Sequence, residues 1–210
     1  MRPTAPTAEQ RAATRERPLR SPVMYQSWRH LLFLHWQWDP AAIQATLPAG
    51  LHVDTFDGHA YLGVVPFWMD EVRPRFFPST PGLSWFLELN LRTYVHTDDG
   101  TPGVWFYSLD CNNPVAVQLA RSLFSLPYVH ARQTGVRPSA HSLNRAEFKS
   151  QRIPVIHADA PSNHFAYAAT TPPVAAEPGT LEYFLAERYL LFSRSSRTGR
   201  LASGRVWHAP

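Results

Sequence analysis

The chain has 210 residues, 44% of them hydrophobic and 13% aromatic, which is enough for one domain with a sizeable core. Its net charge of +4 sits at the ends: residues 1–20 carry five arginines and two glutamates, residues 188–210 carry five arginines and no acid, and the body between is mildly acidic. A nucleic-acid binder needs a basic stripe on its folded body, and a membrane span needs about 18 consecutive apolar residues, so neither nucleic acid nor membrane is an expected partner.

Residues 1–22, rich in Pro, Ala and Arg and poor in large apolar side chains, read as a disordered arm. Residues 23–210 then read as a single domain. The stretch "SWRHLLFLHWQW" (27–38) reads as a first strand. "DPAAIQATLP" follows with a helix-entry signature, Asp39 able to cap free N–H groups and Pro40 suited to a first helical turn. "LHVDTFDGHAYLGVVPFWM" reads as two strands about the turn Asp57-Gly58. After a proline-rich loop comes "FLELNLRTYV" (86–95), and "VWFYSLD" returns the chain. Asn113-Pro114 repeats the cap-then-proline device ahead of a helix whose Val115, Leu119, Ala120, Leu123 and Phe124 share one apolar face. Farther on, "AEFKSQRIPVI" and "NHFAYAATTP" read as strands, and "TLEYFLAERYLLF" as a helix running into a strand. Twenty prolines and ten glycines imply many turns, so a strand-rich fold is expected.

In "FLELNLRTYV" Leu87, Leu89, Leu91, Thr93 and Val95 alternate with Glu88, Asn90, Arg92 and Tyr94. The second row is either a solvated strand face or the wall of a cavity. Its Leu-rich reverse face suits the main core contact, and Trp85, Trp105 and Tyr107 are expected to flank the charges. Glu88 and Arg92 lie four apart, too far for an ideal direct pair. A carboxylate in apolar surroundings has a raised pKa and serves as an acid or base near neutrality.

Ten histidines include no His-x-x-x-His or Glu-x-x-His pair, and the single Cys111 excludes Cys-x-x-Cys and any internal disulfide, so no metal site and no cofactor are expected. Cys111 reads as inert packing. There is no nucleophile elbow and no glycine-rich phosphate loop. Without the apolar core of a signal peptide at the N-terminus, the cytoplasm is the expected compartment. Nineteen arginines to one lysine, with abundant Ala and Pro, point to a GC-rich bacterial genome.

The series "LLFLHW", "DTFDGHAYLGVVPF", "FLELNLRTYV", "GTPGVWFYSLD", "LPYVHA" and "PGTLEYFLAERYLLF" resembles the YqjF-like, or DUF2071, family from about Trp28 to about His208. Three stretches are also similar to the acetoacetate decarboxylase-like superfamily. "WRHLLFLHWQWDPAAIQATLPAGL" places Arg29 where the decarboxylases have an active-site arginine. "FLELNLRTYV" places Glu88 on the strand of their active-site glutamate. "LDCNNPVAVQLARSLFSLPY" resembles the segment that ends in their catalytic lysine pair. The resemblance implies an α+β, mostly antiparallel fold, a cone-shaped β-barrel with a few short helices and a pocket within. The departures are specific. Tyr128 and Val129 stand where the decarboxylases have the lysine pair, the position near Val65 where they have a second carboxylate is apolar, and the one lysine, Lys149, lies in a polar segment. Schiff-base chemistry needs an amine, so acetoacetate decarboxylation is not expected. The family pattern usually continues beyond "VWHAP", so the domain is either truncated at its C-terminus or ends there naturally with one sheet edge exposed.

Two readings follow. In the first, a small organic acid or carbonyl compound binds in the barrel, held by Arg29, Asn90 and Arg92, with Glu88 as acid or base and Tyr128 as hydrogen-bond donor, as in an enzyme that works without a Schiff base. In the second, Glu88 and Arg92 form a buried structural network in a non-catalytic module. Either is compatible with a homo-oligomer.

Overall fold

A computed structural model describes residues 4–140, 144–153, 162–195 and 197–208. The helix α1 (Ala8–Ala13) precedes β1 (Met24–Arg29), β2 (Leu34–Trp38), α2 (Pro40–Gln44), β3 (His52–Val53), β4 (Ala60–Pro74), β5 (Phe86–His96) and β6 (Pro102–Cys111). Then come α3 (Pro114–Phe124), β7 (Tyr128–Val136), β8 (Ala146–Arg152), β9 (Ser162–Tyr167), α4 (Leu181–Ala186), β10 (Leu190–Arg194) and β11 (Leu201–Arg205). Among the described residues the strands form one mostly antiparallel sheet, curled into a half-barrel, with a few short helices.

The spine is β4-β5-β6. Each outer edge of that spine is shared by two strands. β2 pairs with the first part of β4 and β1 with the last. β10 runs parallel to β6 near Val104 and Trp105, and β7 runs parallel to it from Leu109 to Cys111. A sheet whose edges split in this way splays and curls instead of continuing flat. A bulge between Leu91 and Arg92 adds local twist in β5.

Local chemistry sets the boundaries. Asp57 and Gly58 both have positive φ, 48° and 78°, the backbone of the tight turn that Asp-Gly favours. Asp39 accepts from the N–H of Ala41, and Asn113 accepts from those of Val115 and Ala116, each ahead of a proline at the helix start. The expected 27–38 strand is broken at His30, whose φ is 52°, so it becomes β1 and β2. β7, which no alternation in the sequence marks, runs parallel to β6 after α3. The part of the expected "AEFKSQRIPVI" strand beyond Ile153 lies outside the described residues.

Residues 4–22 differ from the expected disordered arm. Thr7 and Gln10 form a reciprocal capping box, and Arg11 donates two hydrogen bonds of 2.7 Å to the buried Asp54. Arg205 donates to the carbonyls of Thr14 and Glu16, and the Trp207 indole donates to that of Arg15. The arm has few large apolar residues, and it is held by ion pairs, by hydrogen bonds to its backbone and by Arg11 and Arg17 lying over the rings of Phe184 and Trp207.

Both faces of β5 are covered. The Leu87 face packs Leu87 and Leu89 with Trp68, Ala146 and Phe148. The Glu88 face is covered by α3, whose Val117 packs with Phe67, Phe86 and Cys111, and by α4, whose Phe184 packs with Tyr61, Tyr94 and Phe106. The apolar stripe expected to bury α3 is mostly outward. Val115, Leu119, Leu123 and Phe124 are exposed, while Val117 seats the helix.

Candidate functional site

The Glu88 row of β5 runs between the two helices that cover its face. Glu88 stands opposite Phe67 on β4 and Cys111 on β6, and Asn90 stands opposite Val65 and Leu109. Arg92 stands opposite Gly63 and Phe106. Directly opposed residues of an antiparallel pair share a face, so these side chains and their neighbours line one wall.

Glu88 is 3% exposed. The Tyr128 hydroxyl donates to its Oε2 at 2.9 Å. Burial pushes the Glu88 carboxyl up to about 7, and hydrogen bonds from Tyr128 and Asn90 pull it back only in part. Burial, reinforced by the neighbouring carboxylate, raises the Tyr128 phenol well above its ordinary value, so it stays a donor. Cys111 is raised to about 12, chiefly by burial, and remains a neutral thiol, as expected of packing.

The buried carboxylates of the described residues are Asp54, Asp70, Glu88, Asp110 and Glu187. Asp54 is held by Arg11 and Arg188, Asp70 by Arg137, Asp110 by Arg152, and Glu187 lies 3.6 Å from Arg15. Glu88 alone has no arginine within 4 Å among the described residues. An isolated buried carboxylate avoids its desolvation cost by binding a proton, which its high pKa expresses.

At the other end of the row, Arg92 donates through Nη2 to the Tyr94 hydroxyl at 3.1 Å and to the Leu185 carbonyl at 3.0 Å. Its guanidinium lies over the rings of Phe33 and Tyr94. No carboxylate lies within 4 Å of it among the described residues. The proposed structural network of Glu88 with Arg92 therefore lacks its defining contact. Tyr94 donates to the Leu185 carbonyl, and its oxygen lies 2.7 Å from His35 Nε2, a contact that an imidazole protonated on Nε2 satisfies. Burial, and secondarily Arg92, lowers the His35 pKa to about 4. Gly63, opposite His35, makes room for the ring, since a Cβ there would lie 2.9 Å from Nε2.

The structure thus brings together Glu88, Asn90 and Tyr128, with Arg92 farther along the same face. Arg29 does not join them. It stands opposite Trp68, on the Leu87 face, and is exposed. The expected aromatic flank is also elsewhere. Trp105 packs with Leu51, Val95 and Phe192, the Tyr107 hydroxyl meets Thr46, and Trp85 is exposed. The apolar surroundings come instead from Phe67, Phe106, Leu109 and Tyr61. His35 escaped the sequence reading because its place depends on the β2–β4 register, and the only local trace is a glycine within an apolar strand. Among the described residues no group of three or more His, Cys, Asp or Glu is placed to hold a metal, and no helix is long and apolar enough to cross a membrane.

Residues 25–210 match the DUF2071 family of uncharacterized conserved proteins, and the chain belongs to that family. It is 37% identical over 171 residues to the uncharacterized protein YqjF of Bacillus subtilis (strain 168), across 81% of this chain and 67% of that protein. Its fold is similar to that of an acetoacetate decarboxylase-like enzyme from Sphingomonas wittichii RW1, with a TM-score of 0.57 at 19% identity over 88% of this chain and 72% of that one. It is also similar to the enduracididine biosynthesis enzyme MppR complexed with pyruvate, with a TM-score of 0.56 at 15% identity over 88% and 70% of the two chains. The acetoacetate decarboxylase of Legionella pneumophila gives a TM-score of 0.56 at 12% identity over 90% and 70%.

Proposed function

We propose that this DUF2071 chain binds a small organic acid or carbonyl compound against the Glu88 face of β5 and moves a proton there without a Schiff base. The observation that carries this is the separation of charges. Among the described residues Glu88 is a buried acid with no cation within 4 Å, and Arg92, on the same face, is a cation with no carboxylate within 4 Å. A ligand carboxylate supplies Arg92 with its counter-charge. Glu88, with a pKa of about 7, can both give and take a proton near neutral pH. Tyr128 donates its hydrogen bond to Glu88 and can turn it to a ligand carbonyl oxygen, an oxyanion-type role.

Lys149 is exposed on β8, where it pairs with His164, so it is not an amine of this face. The fold likeness to MppR, a protein complexed with pyruvate, supports a small oxygen-rich ligand and no particular reaction.

Calorimetric titration with a panel of short carboxylic acids tests the reading. R92Q is expected to weaken binding by about tenfold or more, through loss of a charge-assisted hydrogen bond. Wild-type binding should weaken as pH rises through 7, because ionised Glu88 repels an anion, and E88Q should bind with little pH dependence across that range. Panel members that bind equally well to wild type and to both variants would contradict it.

A further inference from the structure

Two buried polar atoms of this face have no hydrogen-bond partner among the described residues: Asn90 Oδ1 and Arg92 Nε. Asn90 is 7% exposed, and its amide nitrogen side is turned to Glu88, which leaves the oxygen as a pure acceptor. Buried polar atoms without partners are uncommon in folded proteins, and two from one strand face, two residues apart along the chain, mark a demand for a ligand. The demand has a definite chemistry. One atom needs a hydrogen-bond donor and the other needs an acceptor.

We propose that the ligand of this face is a hydroxy acid, whose hydroxyl donates to Asn90 Oδ1 while its carboxylate accepts from Arg92 Nε. This rests on the reading of the Glu88 face as a small-acid site and deepens it. A 2-oxo or 3-oxo acid in its keto form meets Arg92 equally well but carries no donor, so it leaves Asn90 Oδ1 unpaired. Sites built to pair a ligand hydroxyl reject analogues that lack it far more strongly than apolar pockets reject a change of size. The hydroxyl oxygen keeps its lone pairs, and protonated Glu88 or Tyr128 can donate to one of them.

The experiment compares matched pairs on the full chain by calorimetry at pH 6: lactate with pyruvate, and 3-hydroxybutyrate with acetoacetate. The hydroxy member of at least one pair is expected to bind about tenfold more tightly or better. In N90L the hydroxy member should lose more affinity than its oxo partner, so that the preference vanishes, with N90A as the second variant if the leucine chain does not fold. Equal affinity within both pairs, or preference for the oxo acids, overturns the inference and leaves the small-acid reading standing. A hydroxy preference that persists unchanged in the Asn90 variants also overturns it. Absence of binding by all four acids up to roughly 10 mM, a concentration that would reveal even weak complexes, overturns both.

Discussion

Glu88 and His35 titrate in opposite senses, and together they shape how stability depends on pH. Glu88 has a folded pKa of about 7 against an ordinary 4.5, so the folded chain holds its proton more tightly than the unfolded one. The resulting stabilisation is complete below pH 4.5 and is lost as pH rises through 7, a total on the order of 3 kcal/mol. His35 has a folded pKa of about 4 against 6.5, so its contribution is complete above pH 6.5 and is lost as pH falls towards 4. Between about 4.5 and 6.5 the two slopes oppose each other. Denaturant titrations across this range should give a shallow profile for wild type. E88Q should become steadily more stable with rising pH, and H35Q less stable. A profile for E88Q that superimposes on wild type would contradict the high Glu88 pKa.

The elements are tied together by ion pairs as well as by apolar packing. Burial alone would raise the Asp54 pKa, but Arg11 and Arg188 outweigh it and hold the carboxyl below its ordinary range. Arg188 stacks over Phe184 and Tyr94, and Arg11 over Phe184, so one aspartate fastens α1 and the end of α4 to the turn after β3. D54N should cost about 3–5 kcal/mol, because it strands the buried Arg188 without a counter-charge. The check is the unfolding midpoint. R11M should cost less, since Arg188 still pairs with Asp54 at 2.8 Å. On the opposite side of the site, G63A places a methyl against His35. The expected results are a loss of about 1–3 kcal/mol and a His35 pKa moving up towards 6.5, readable by proton NMR of the ring.

At the scale of the molecule, the sequence shows best what is local. The Asp57-Gly58 turn, the Asp39 and Asn113 caps and the alternation of 86–95 all follow from single residues or from a two-residue period, and the structure has each of them. What it shows poorly depends on register and on long-range pairing. Arg29 was aligned by resemblance, but pairing with Trp68 turns it to the Leu87 face. The α3 stripe has the right period, yet the helix seats on Val117 because that residue meets Cys111 and Phe67. The arm is poor in large apolar residues and still docks, because Asp54, Arg205 and Trp207 arrive from distant segments. Since that docking ties the arm to Asp54, Arg205 and Trp207, the full chain should unfold in a single transition, and a chain lacking residues 1–20 should do so at a lower denaturant midpoint. Two separate transitions of the full chain would show that the arm and the sheet are independent units.

The proton transfer proposed for Glu88 depends on a carboxyl that is half-protonated near neutral pH, and one titration addresses it directly. Carbon-13 NMR of the side-chain carboxyls in the glutamate-labelled chain, with E88Q to assign the resonance, reads that group alone. The midpoint expected for Glu88 is near 7. A midpoint near 4.5 would mean that the carboxylate is solvated or paired, and the face would then be an ordinary wall of the sheet.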